Sequence, residues 1–356
     1  MKRLIIYISI LLIAALMAIG YVRTEVPEGS KVNPTEIIFE HLGDAYGWEL
    51  PFNHDLRIPL PIIVRAEDGS WHCFSSSRVA HGAVYDRFAI GGEGSAYKGK
   101  VVELRADGTE YRPFDFSITK NVAALIVTVI IVSWIFLSLT RYYRRNGMKA
   151  PRKFKGAVEA LVDFIYVGIV KPMLKEKASK FAPYLMTVFM FVFVANLLGL
   201  VVIFPGGANL TGNIAITMVL ALFTFFMTNV FGTKHYWKDI FWPDVPLWLK
   251  FPIPIMPVIE VFGVFTKPAA LTVRLFANMM GGHMIVIVLT LLIFIFAAMN
   301  IWVGAATSVV SILFSVFMLL IDVLVSFIQA FVFTMLSTLF ISLAQEGGHH
   351  EEAIKE

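Results

Sequence analysis

KPAALTVRLFANMMGGHMIVIVLTLLIFIFAAMNIWVGAATSVVSILFSVFMLLIDVLVSFIQAFVFTMLSTLFISLAQE, residues 267–346, decides the fold. Between Lys267 and Glu346 only Arg274 and Asp322 carry charge. The stretch divides near Asn300 into two apolar segments. Continuous helices over 258–296 and 301–343 would each be about 60 Å long. An upright helix crosses the roughly 30 Å of hydrocarbon with half that length. These two must therefore tilt steeply, break, or extend beyond the bilayer.

Three further apolar runs lie upstream, at 122–140, 185–204 and 214–232, each able to cross as a helix. The expected fold class is an all-α polytopic membrane protein with five membrane segments in its C-terminal two-thirds. Composition agrees: of 356 residues, 57% are hydrophobic and 16% charged, against about 45–50% and 25% in soluble domains. That excludes a disordered chain and argues against an ordinary soluble enzyme. A net charge of +4 is too small to imply a nucleic-acid partner. One cysteine, Cys73, excludes an intrachain disulfide framework and any multi-cysteine metal site. Neither cofactor nor metal is expected.

The chain divides into four parts. Residues 1–21 place Met-Lys-Arg before an apolar run and fit a signal peptide or a retained anchor. Residues 22–117 are polar and mixed, a small outer domain. In it Asn33-Pro34-Thr35-Glu36 fits a helix start, with Gly43 able to end that helix. Segments 62–66 and 71–74 flank Asp68-Gly69, and 101–106 and 109–114 flank Asp107-Gly108. Both read as β-hairpins, because Asp-Gly accepts positive φ, so the insert should be mostly β. Residues 118–345 form the membrane domain and 346–356 a tail. Basic residues crowd the loop after the first span (Arg141, Arg144, Arg145, Lys149, Arg152, Lys153, Lys155, then Lys171, Lys175, Lys177 and Lys180), which places that loop in the cytoplasm. The N-terminal domain is then outside and the C-terminal tail cytoplasmic. Residues 157–180 are amphipathic and fit a surface-lying segment.

An arginine at mid-membrane depth costs about 2.5–3.5 kcal/mol or more and cannot shed its proton. It marks either an ion pathway or a static pair with Asp322. Helical spacing favours the pathway. Glu260, Lys267 and Arg274 recur every seven residues, and Asn278 lies one turn beyond. On the last segment Asp322, Ser326 and Gln329 share a face. Two matched polar stripes suggest a wet seam, since buried polar groups need partners.

At these residues the chain resembles a known family. LTVRLFAN (271–278) followed by Gly281-Gly282-His283 is similar to the fifth-helix signature of the subunit a family of ATP synthases. Segment 327–333, FIQAFVF, resembles the family's last-helix signature. Glu260, Lys267-Pro268, Asn196-Leu197-Leu198-Gly199, Pro34-Thr35-Glu36 and FDFSITKN (114–121) also fit, whereas 50–110 is an insertion relative to shorter bacterial members. The resemblance implies a non-catalytic stator subunit of the Fo motor in the inner membrane. It would lie against a rotating ring of c subunits, with b subunits and, indirectly, the F1 sector as partners.

On that resemblance Arg274 is the essential arginine separating two proton half-channels. Asn278 and Gln329 match polar residues beside it, His283 and Asp322 match the outer half-channel pair, and Glu260 matches a residue near the inner one. Many bacterial relatives have an acid where this chain has His283 and a histidine where it has Asp322. The exchanged pair is still acid and imidazole, suited to proton relay, and which member receives the incoming proton stays open. Ser326 joins the set from its place on the stripe.

Other motifs carry less. GSAYKGK (94–100) imitates a phosphate loop, but Val101 follows instead of Ser or Thr, outside a strand-to-helix context. His349 and His350 fit a solvated tail. A proton-coupled secondary transporter is the alternative, yet two similar halves are not seen. A membrane-anchored sensor would not need Arg274, Asp322 and Gln329.

Overall fold

The computed structural model describes residues 43–345 except 51–52, 93, 106, 148, 202–206, 242–254 and 300. The leader, the helix expected from Asn33, and the tail with its two histidines lie outside the described residues.

Among the described residues, the polar N-terminal region folds as three small antiparallel sheets. Strands β1 (Gly47–Leu50) and β2 (Asn53–Pro59) pair with each other. The second sheet joins β3 (Pro61–Arg65) and β4 (Trp71–Ser75), and the third joins β5 (Phe88–Ile90), β6 (Val101–Leu104) and β7 (Glu110–Tyr111). Both Asp-Gly hairpins form, with Gly69 at φ 84° and Gly108 at φ 79°, where glycine escapes the Cβ clash. The second hairpin is shorter than expected. Pro113 lies between β7 and β8 (Phe114–Asp115), and β8 crosses to pair with β3. Ile62, Val64, Phe74, Phe88 and Val101 pack at the centre of this region. The phosphate-loop mimic is a run of turns between β5 and β6, with no helix behind it.

Helix α1 (Lys120–Asn146) starts on the Thr119 hydroxyl, which accepts from the Val122 amide, and ends at Gly147. Segment 154–177 is helical throughout. It opens with α2 (Phe154–Ile165) and continues through a π-helical stretch (Tyr166–Val170) to a 3₁₀ turn ending at Lys177. Val158, Ile165, Ile169, Val170 and Leu174 are buried while Lys171, Lys175 and Lys177 stay exposed, an amphipathic partition. The segment lies along the last helix: the Phe164 ring stands beside Phe327, and the Met173 carbonyl accepts from Ser342 Oγ.

Helix α3 (Ala178–Leu200) carries Phe181, Leu185, Phe189 and Val192 into the core. Helix α4 (Ile214–Val230) has 17 residues and bends by 103° into α5 (Lys234–Phe241). It is shorter than the expected 214–232 run and, alone, below the roughly 20 residues that span hydrocarbon. Among the described residues, four helices are long and apolar enough to cross a membrane, or five if the bent pair counts as one span.

The final pair, α6 (Ile255–Met299) and α7 (Ile301–Gln345), has 45 residues each. They pack antiparallel against each other. Gly282 abuts Asp322, the Arg274 carbonyl meets Gln329, and Lys267 Nζ stands 5.6 Å from the Phe340 ring centroid. Pro268 does not break α6, and its carbonyl accepts from Thr272 Oγ1 at 2.9 Å. With no break, tilt or protrusion must absorb the excess length. The apolar windows Val258–Leu289 and Thr307–Gln345 are still about 48 and 58 Å long at 1.5 Å per residue.

Candidate functional site

The hairpin α6–α7 exists because both helices are apolar nearly all round, and small residues let them approach. At Gly282 a Cβ would stand 2.7 Å from Asp322 Oδ1, so the carboxyl occupies the space a side chain would take. On α7 the expected stripe points inward: Asp322, Ser326 and Gln329 are all buried. Each has an identifiable neighbour. Gln329 Nε2 donates to the Arg274 carbonyl at 3.3 Å, and Ser326 Oγ donates to the Asp322 carbonyl at 2.7 Å. The Ser326 bond is the ordinary internal solution for a hydroxyl in an apolar helix.

The α6 stripe behaves differently. Arg274 and Asn278 are exposed, together with Val273 and Ala277. No ion pair joins Arg274 to Asp322 or to any other acid among the described residues. The guanidinium therefore emerges on the flank of α6, while Gln329 holds its backbone from behind. Glu260 and Lys267 are half-buried on the same helix. Around Arg274 the two stripes thus do not close on each other: Asp322, Ser326 and Gln329 line the helix–helix contact, while Arg274 and Asn278 look out of it.

Two polar regions lie on either side of Arg274 along α6. About 13 Å towards the C-terminus (nine residues at 1.5 Å each) is His283. Its Nε2 is buried without a hydrogen-bond partner among the described residues, 3.7 Å from where a Cβ on Gly199 would sit. The end of α3 and the loop after it are polar there too. Thr211 Oγ1 donates to Asn196 Oδ1 at 2.6 Å, both residues are buried, and Asn209 Nδ2 is also buried, with no partner among the described residues. Buried polar atoms of this kind are the places where water is held.

About 10 Å in the other direction (seven residues), Lys267 lines a small cleft with Thr224, Thr228, Asn229, Tyr236 and Phe340. Tyr184 Oη and Thr224 Oγ1 are 2.9 Å apart, and Thr224 Oγ1 and Ser337 Oγ 3.2 Å.

Sequence spacing placed Asp322, Ser326 and Gln329 together and gave Arg274 and Asn278 a common face. It missed Gly282 as the socket for Asp322 and the polar cluster of Asn209 and Thr211. Gly282 stood within the recognised motif, but only packing discloses what its missing side chain makes room for. Among the described residues no cluster of His, Cys, Asp and Glu is arranged to hold a metal ion.

Residues 122–342 match the family described as ATP synthase A chain. The chain belongs to that family. The ATP synthase A chain match spans α1 to α7 and includes Arg274, His283, Asp322 and Gln329. Residues 37–116 match a separate description, a domain of unknown function (DUF8433). The chain is 43% identical over 250 residues to ATP synthase subunit a of Chlorobium phaeobacteroides strain DSM 266, covering 68% of this chain and 69% of that one. To the protein of the same name from strain BS1 it is 38% identical over 298 residues, 76% of this chain and 83% of that one. ATP synthase subunit a of Myxococcus xanthus is 38% identical over 247 residues, covering 67% and 76%. With its apolar helices, the chain is a multi-pass membrane protein.

Proposed function

We propose that the chain is the stator ion-channel subunit of an Fo motor, coupling proton flow to ATP synthesis against a rotating ring of carboxyl-bearing c subunits. The observation that carries this reading is Arg274, a permanent cation displayed on a membrane helix with no acid beside it among the described residues. A guanidinium on a lipid-facing flank costs about 2.5–3.5 kcal/mol or more. A carboxylate on a neighbouring subunit removes that cost.

The chemistry follows from the two polar regions. A deprotonated ring carboxylate is drawn to Arg274, which cannot itself give up a proton. A proton arriving through the region of His283, Asp322, Asn196, Asn209 and Thr211 neutralises one ring carboxylate. The neutral acid then enters lipid far more cheaply than the charged form. After rotation it meets the second region, near Lys267 and Glu260, and releases its proton. Arg274 lies between the two and blocks a direct leak. Asn278 beside it and Gln329 behind it position the cation, while Ser326, bonded to the Asp322 carbonyl, steadies the helical turn that carries the acid. Each charge moved through 100 mV supplies about 2.3 kcal/mol.

The reading places the chain in the inner membrane with the N-terminal domain outside and the C-terminus cytoplasmic. Its partners are the c-ring, the b subunits and, through them, F1; the chain itself is non-catalytic. The test is proximity. In a Cys73→Ser background, Ala277→Cys on the exposed flank should cross-link to a cysteine placed beside the ring carboxyl of the co-purified two-helix protein. A chain that purifies without such a protein, or that never cross-links from position 277, refutes the proposal.

A further inference from the structure

The second sheet of the outer domain carries large apolar side chains on both faces. Ile62, Val64 and Phe74 face the core. Alternation along β3 and β4 turns Pro61, Ile63, Arg65, Trp71 and Cys73 the other way, and Phe114 and Phe116 lie on the same side across β8. A half-solvated antiparallel sheet is expected to be polar on its outer face. Here Trp71, Phe114 and Phe116 are 59%, 72% and 60% exposed, and Phe116 meets the other two, with centroids 5.5 Å apart for Trp71–Phe116 and 6.4 Å for Phe114–Phe116. A contiguous aromatic patch of this kind marks a protein or membrane contact.

Its attachment selects the membrane. The Phe116 amide donates to the Ile63 carbonyl and that of Ile118 to Pro61. Two residues later α1 begins. There the Lys120 amide donates to the Ala45 carbonyl and that of Asn121 to Asp44 Oδ1. Trp48 is buried against Ala124 of α1 and Ala195 of α3. The sheet is thus pinned to the end of the first membrane helix. Phe116 lies within about 13 Å of Lys120 at 3.3 Å per residue, close to an interfacial layer roughly 5–8 Å deep. Exposed tryptophan and phenylalanine at this level match the aromatic belts of membrane proteins. Arg65, its guanidinium 6.0 Å from the Trp71 ring, supplies a cation for lipid phosphate.

We infer that the outer domain lies sideways on the bilayer, with Trp71, Phe114 and Phe116 sunk into the headgroup layer. This assigns the inserted domain a lipid contact that the proton pathway does not require. Cys73, the chain's single cysteine, is exposed on this same face opposite Ile63 and serves as the probe. A nitroxide on Cys73 is measured in the intact complex in phosphatidylethanolamine–phosphatidylglycerol vesicles, by collision with oxygen and with a water-soluble nickel chelate. The control is Ala96→Cys in a Cys73→Ser background, an exposed position in the loop between β5 and β6.

Oxygen should dominate at position 73 and nickel at position 96. Replacing Trp71, Phe114 and Phe116 together by serine should move position 73 towards the aqueous ratio. Two results overturn the inference: a nickel-dominated signal at position 73 equal to the control, or a label shielded from both reagents, which would mean that a protein partner covers the face. The single-label measurement stands even if the triple variant does not fold.

Discussion

Gly282→Ala isolates the geometry of the Asp322 carboxyl from its chemistry. The new methyl group would meet Oδ1 at 2.7 Å, Cγ at 3.2 Å and Oδ2 at 3.3 Å. The carboxyl must withdraw by about 0.7 Å to regain ordinary contact. Forcing its side chain off a rotamer costs about 0.5–1.5 kcal/mol. Alanine in a helix interior regains about 1 kcal/mol over glycine. The two offset, so the subunit should accumulate normally while the carboxyl is displaced. Misplacing a reacting group by 1 Å can cost about 100-fold, and a shift of this size predicts a loss on the order of ten-fold in proton transfer. The assay is ATP-driven proton pumping in inverted vesicles, normalised to the amount of subunit. If Gly282 matters only as the socket for Asp322, combining Gly282→Ala with Asp322→Asn should be no worse than Asp322→Asn alone. Wild-type pumping by the single variant, or losses that add in the double, would refute the reasoning.

Exchanging His283 and Asp322 should retain partial pumping, while His283→Ala loses more; equal behaviour would discard the paired relay. Trp48→Ala removes the ring buried against α1 and α3 and should destabilise the seating of the outer domain by about 3–5 kcal/mol, read as a lower unfolding midpoint of the intact chain. Asp68 is held well below the usual carboxylate range, first by the Ser70 hydroxyl, then by its amide and the Arg87 guanidinium. A depressed folded-state value stabilises above the unfolded pKa of about 3.9 and is lost as pH falls through the folded value. Hydrogen exchange in β3 and β4, corrected for its intrinsic pH dependence, should therefore rise as the medium is acidified below about pH 4, and Asp68→Asn should flatten that response.

The membrane helices were legible because hydrocarbon demands long apolar runs and leaves little else to decide. The two 45-residue helices follow from the stretch after Lys267, which holds Arg274 and Asp322 as its only charges. The third run was overestimated. Hydropathy alone cannot see that α4 stops at Val230 and turns through 103°, because Phe231-Gly232 is as apolar as the helix before it. In the outer domain Asp-Gly signalled both hairpins, since positive φ has few other solutions. Pairing between β8 and β3 was invisible, being a contact over some fifty residues with no local signature. The same reason hid the link between His72 Nδ1 and Asp86 Oδ2, 2.9 Å apart. At the site, helical periodicity was enough to group Asp322, Ser326 and Gln329. It could not tell which stripe is buried and which exposed, because that depends on the hairpin register set by small residues such as Gly282.

The most direct measurement is ATP-driven proton pumping by vesicles whose complex carries Arg274→Ala. With the complex assembled and hydrolysing ATP, acidification should fall to background, because nothing then holds the ring carboxylate or seals the two polar regions from each other. Sustained acidification at the unsubstituted rate would mean that the exposed guanidinium has no part in moving protons.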